Sequence, residues 1–194
     1  MTKDAVDGAE IVLSAELYRE RFDSGWTFEE YVDDVVEKHR DLWQAVYRRA
    51  GLPEEVQGRV QEISSTWKLL ALSEDWCGDA VNSLPWVARL AEASPALDLR
   101  VISRDGNPEI MDAHLWGGRS RSIPVVILLN EDYEEVDWWG PRPSELQDWV
   151  LGEGQSLPTR ERYREVRRRY ARDGGQAILD EVLAMVPSEV PCGS

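Results

Sequence analysis

The sequence predicts an α/β fold in which helices flank a central sheet and further helices extend both ends. Apolar residues recur with helical period through the first sixty residues and again beyond residue 143. Between these regions lie short apolar runs of strand length at 67–72, 97–102 and 125–129. Gly, Pro and Asn punctuate the changes between the two textures. The changes divide the chain into an N-terminal helical extension at 1–65, a core at 66–151, and a C-terminal helical extension with a mobile tail at 152–194, all within one compact unit.

Each element has a local reason. Thr27 followed by Glu30 is a capping box, and Tyr31, Val32, Val35, Val36, Leu42, Trp43, Val46 and Tyr47 keep one apolar stripe until Gly51-Leu52-Pro53. That stripe predicts a continuous helix, with His39 packed or half-buried on it. Pro53 suits the first turn of a shorter helix that carries Val56, Val60 and Ile63 on one side. The strand at 67–72 delivers the chain to Trp76-Cys77, and Val81, Leu84, Val87, Leu90 and Ala91 then keep a helical period that Pro85 should kink. A strand at 97–102 is followed by a helix at 108–116, with Pro108 at its start, Gly117-Gly118 at its end, and His114 expected packed or half-buried. The run at 125–129, the polar turn Asn130-Glu131-Asp132-Tyr133 and a second strand at 134–139 read as a hairpin. Helices at 143–151, 159–172 and 176–186 complete the chain.

Composition excludes several classes. The net charge is −15, and non-specific nucleic-acid affinity comes mainly from clustered positive charge, so no nucleic-acid partner is expected. The arginine-rich segment at 160–172 is the exception in sign. It reads as an amphipathic helix packed through Tyr163, Val166 and Tyr170, with Glu165 reaching Arg168 or Arg169 and the other arginines facing acidic surface. No apolar run is long enough to cross a bilayer and the first residues carry no leader pattern, so a cytoplasmic protein without a membrane partner is expected. Two cysteines make no disulfide scaffold, and in a reducing compartment they remain thiols. His39 and His114 stand in no metal-ligand spacing, so neither a metal nor another cofactor is expected.

The order of elements, and four spaced features within it, resemble a thioredoxin core. Trp76-Cys77-Gly78 resembles the active-site turn, and Pro85, eight residues after the cysteine, matches the proline of the active-site helix. Ile123-Pro124 looks like the cis-proline loop, and Gly140, sixteen residues later, matches the glycine that ends the hairpin. Glu74-Asp75-Trp76-Cys77-Gly78-Asp79-Ala80, the segment from Gly118 to Pro124, and Trp139-Gly140-Pro141-Arg142-Pro143 look like a bacterial branch of that family with similar helical extensions. The resemblance implies a central mixed sheet flanked by helices. It departs from the family pattern at Ala80, where a second cysteine is usual, and at Asp79, where a proline is usual.

Cys77 is therefore the candidate nucleophile, within the motif Trp76, Gly78, Asp79 and Ala80. A helix N-terminus stabilises a thiolate, while an ionised Asp79 opposes it. The functional reading expects an accessible and unusually acidic sulfur. With Ala80, exchange stops at a mixed disulfide unless an external thiol or Cys192, whose tail can reach far, resolves it. Ile123 and Pro124 offer a backbone edge to an extended substrate. Arg104, Arg119 and Arg121 read equally as solvated loop residues or as holders of an anionic substrate such as a small thiol's carboxylate. Trp76 and Trp139 read first as core, with the walls of a substrate groove as the alternative. The expected function is monothiol thiol–disulfide exchange with protein or low-molecular-weight substrates; the alternative is a binding or adaptor module that has lost turnover.

Overall fold

The computed structural model describes residues 11–187. Four strands, β1 (Trp67–Ser73), β2 (Leu97–Ser103), β3 (Val125–Leu129) and β4 (Glu135–Trp139), form one sheet in the order β2-β1-β3-β4. β1 and β2 are parallel, with Leu69 beside Leu99 and Ala71 beside Val101. β3 runs antiparallel to both β1 and β4, so the sheet is mixed. All of β3 and the last five residues of β1 are buried, as the apolar runs Val125–Leu129 and Leu69–Leu72 require of strands covered on both faces. Beyond β2, Trp26 exchanges two backbone hydrogen bonds with Val101 and covers that edge.

The helices are α1 (Ala15–Asp23), α2 (Phe28–Glu30), α3 (Arg40–Arg49), α4 (Glu54–Gln61), α5 (Gly78–Glu92), α6 (Pro108–Ala113), α7 (Ser144–Leu151), α8 (Thr159–Asp173) and α9 (Gln176–Met185). α5 packs on β2, α3 and α9, while α9 also lies against β4 and α4. The fully buried Val56, Val60, Leu84, Ile178 and Leu179 lie in the joint core, each burial contributing on the order of 2 kcal/mol. Among the described residues no helix is long and apolar enough to cross a membrane.

Four expectations need correction. The stripe from Tyr31 to Tyr47 is not one helix: the capping box of Thr27 and Glu30 starts α2, a π-turn follows at Tyr31–Val35, and the chain then leaves helical geometry until α3. The break is held by a tertiary contact, because the Asp75 carboxylate accepts the backbone N–H groups of Lys38 (2.9 Å) and Glu37 (3.3 Å). Val32 and Val36 remain buried across the break, whereas His39 adopts a left-handed backbone (φ 63°) and is exposed, not packed. The helix expected to reach Trp116 stops at Ala113. There the His114 ring, 1% exposed, takes the Ile110 carbonyl through Nδ1 at 2.6 Å, and its Nε2 meets Glu135 at 3.0 Å on β4. Glu135 also accepts the Tyr18 hydroxyl, which ties α1 to the same strand. In α8, Val166 and Tyr170 are buried and Glu165 pairs with Arg168 and Arg169, but Tyr163 is 51% exposed. The tail expected beyond α9, with Cys192, lies outside the described residues apart from its first residue.

Candidate functional site

β1 ends at Ser73, and a turn carries the chain to Cys77, which caps the N-terminus of α5. The Cys77 Sγ accepts the backbone N–H of Ala80 at 3.4 Å, as a helix start allows. The thiol in turn faces the Ile123 carbonyl at 3.3 Å and donates to it. The Ile123–Pro124 peptide bond is cis, and so is Gly140–Pro141. The two loops interlock. A Cβ on Gly140, whose φ is +141°, would lie 2.1 Å from the Pro124 carbonyl oxygen, so only glycine permits this approach.

The sulfur is neither freely accessible nor acidic. Cys77 is 7% exposed, and burial, the dominant influence, pushes its thiol up to about 11. The Ala80 N–H acts in the opposite sense and the Asp79 charge adds to the rise. The helix N-terminus is present, yet desolvation of the thiolate outweighs it.

Asp79, next but one to the cysteine, is held by groups whose role there no local pattern in the sequence marks. Arg142, in the loop after β4, donates Nε and Nη2 to its two carboxylate oxygens at 2.9 and 2.5 Å. Tyr170 of α8 donates its hydroxyl to the same carboxylate at 3.1 Å, and Gln147 of α7 accepts Nη1 of Arg142 at 2.7 Å. The pair is largely out of water, with side chains 12% and 17% exposed. Arg142 does stand in the stretch from Trp139 to Pro143 that resembles the family branch. A carboxylate in the first turn of a buried helix signals that some cation must face it, but nothing local selects that arginine.

A cleft of about 490 Å³ opens over Cys77. Trp76, Gly78, Asp79, Arg104, Arg121 and Ile123 line it, together with His39 and Leu42 from the N-terminal part and Tyr163, Val166 and Arg167 from α8. Trp76 is 45% exposed and lies under the Arg104 guanidinium, 5.0 Å from its ring centroid, so it belongs to the cleft wall and not to the core. Trp139 is buried, donates to Glu181 at 2.7 Å, and does not line the cleft. Ala80 is buried beneath Cys77's turn. Arg104 pairs with Asp105 and Arg121 with Asp112. Arg119 is exposed and does not line the cleft. Cys192 lies outside the described residues.

A family model described as thioredoxin matches residues 25–164. No curated protein matches the chain. Among solved structures, a protein of unknown function from Pseudomonas aeruginosa is 21% identical, with a TM-score of 0.69 over 87% of this chain and 96% of that one. An HIV epitope scaffold is also 21% identical, with a TM-score of 0.68 over the same shares of the two chains. At that identity the likeness is one of fold.

Proposed function

Because this chain belongs to the thioredoxin family, we propose that it is a monothiol thiol–disulfide oxidoreductase whose nucleophile is Cys77. It belongs to the one-thiol branch marked by Trp76-Cys77-Gly78-Asp79-Ala80 and acts in the cytoplasm on protein or low-molecular-weight disulfides. One observation carries the reading: the Cys77 sulfur lies at the floor of a cleft, between the Ala80 N–H at the start of α5 and the Ile123 carbonyl of the proline loop.

In the reaction, Cys77 releases its proton to solvent and the thiolate attacks one sulfur of a substrate disulfide. The substrate S–S bond breaks, a Cys77–substrate disulfide forms, and the departing thiolate takes up a proton. An external thiol then attacks the substrate sulfur and forms a disulfide with it, while Cys77 leaves as the thiolate and takes up a proton; by the other route Cys192 attacks the Cys77 sulfur, the substrate leaves as its thiol, and the Cys77–Cys192 disulfide is reduced by an external thiol. A thiol held at about 11 is seldom ionised at neutral pH and is a poor leaving group when attacked. With Ala80 in place of a resolving cysteine, the mixed disulfide therefore forms slowly and persists.

The second reading, a binding or adaptor module, is favoured by those same two features taken to their limit. One experiment separates them. Protein with Cys192 replaced by Ser is incubated with 2-hydroxyethyl disulfide between pH 7 and 10, and intact mass is followed. The expected result is an adduct confined to Cys77 that forms faster as pH rises and survives until excess thiol is added. Absence of any adduct on the folded protein across that range would overturn exchange and leave binding.

A further inference from the structure

The cleft over Cys77 has a charge opposite to that of the protein. Among the described residues, four arginines line it, Arg104, Arg121, Arg142 and Arg167, against one acidic residue, Asp79. Asp105 and Asp112 pair with Arg104 and Arg121 from outside the lining. Even with both of them counted, one cation is in excess, and that cation is Arg167. It is exposed on α8 and makes no ion pair or hydrogen bond to another described side chain. Arg121 spends Nε and Nη2 on Asp112 at 2.7 and 2.6 Å, which leaves its Nη1 outside the pair. Arg142 is different, because all three of its nitrogens are already engaged by Asp79 and Gln147.

From this arrangement we propose that the cleft selects a carboxylate-bearing low-molecular-weight thiol, presented as its disulfide, with a carboxylate on Arg167 and Arg121 and a sulfur on Cys77. The inference rests on the exchange reaction proposed above and names its substrate class. The volume of about 490 Å³ suits a molecule of tripeptide size. His39 and Leu42, from the N-terminal part, and Tyr163 and Arg167, from α8, line the same space. A guanidinium presents several donors in a planar fork and so discriminates a carboxylate from a neutral or cationic group at the same position. Contacts inside one cleft act within the screening length of about 10 Å at 0.1 M salt, whereas the diffuse negative field of the whole chain acts mostly beyond it. In the exchange, Cys77 takes one half of the disulfide and the other half leaves as its thiol; a thiol of a different kind then attacks the bound half, leaves with it as a mixed disulfide, and Cys77 regains a proton.

The test uses three disulfides of one reaction type and different charge: glutathione disulfide, which is anionic, 2-hydroxyethyl disulfide, which is neutral, and cystamine, which is cationic. Rates of adduct formation at Cys77 are read by intact mass at constant pH and ionic strength, each divided by the rate of free cysteine with the same reagent. Glutathione disulfide is expected to lead the normalised series by roughly tenfold, the size of one charge-assisted contact. In Arg167→Gln the ratio of glutathione disulfide to 2-hydroxyethyl disulfide should fall by most of that factor. Equal normalised rates, a lead for cystamine, or a ratio unmoved by Arg167→Gln would overturn the substrate class while leaving exchange at Cys77 intact. Failure of all three reagents would strike the exchange reaction itself.

Discussion

Arg142 closes Nε and Nη2 on the two carboxylate oxygens of Asp79, at 2.9 and 2.5 Å, two residues beyond Cys77. This pair joins the start of α5 to the loop after β4, and Tyr170 extends the connection to α8. The C-terminal helices thus reach the thiol through one carboxylate.

Arg142→Gln should therefore destabilise the whole fold. It leaves Asp79 ionised in a site where only 12% of its side chain meets water, with the Tyr170 hydroxyl as the one remaining side-chain donor among the described residues. Removal of one member of a buried pair is expected to lower stability by about 3 kcal/mol, read as a fall in the urea midpoint. The double variant Asp79→Asn with Arg142→Gln should recover part of the loss, since no charge is then stranded. Arg142→Gln at wild-type stability would mean that water already solvates Asp79.

Stability should also depend on pH through Cys77. Its folded value, about 11, lies above the ordinary 9.0, so the unfolded chain gives up the proton first. The contribution is fully present below pH 9 and is lost as pH rises through 11. The expected size is about 3 kcal/mol at its limit. Comparison of wild type with Cys77→Ala from pH 8 to 11 isolates it, because the other alkaline titrations are common to both. The advantage of wild type over the variant should shrink across that interval; a constant or growing difference would contradict a thiol held neutral by burial.

Gly140→Ala should cripple the interlocked loops. Its Cβ would stand 2.1 Å from the Pro124 carbonyl oxygen at a backbone angle of +141° that alanine disfavours. A loss of about 3 kcal/mol or more is expected in the urea midpoint. Gly78→Ala serves as the control, because nothing lies within 4 Å of the added carbon there. Its effect should stay within about 0.5 kcal/mol. Equal behaviour of the two variants would remove steric exclusion as the reason for Gly140.

Most elements were legible because their determinants are local. The runs at β1, β2 and β3, the capping box at Thr27, and the glycines and prolines at element ends declare themselves within a few residues. The break before α3 did not, since its cause is Asp75, a residue about forty positions away whose carboxylate binds the backbone at Lys38. His114 likewise ends α6 early only because Glu135 and a sealed core await its ring.

The sequence by itself determined the order of strands and helices and set a cysteine at a helix start with Ala80 behind it, because periodicity and turn chemistry act at short range. Tertiary structure alone decided which charges meet. It drew Arg142 and Tyr170 onto Asp79, set Arg167 over the cleft and left Arg119 outside it. It also buried the sulfur, and with it reversed the expected acidity, because desolvation depends on what the whole chain packs around one atom and not on the residues beside it.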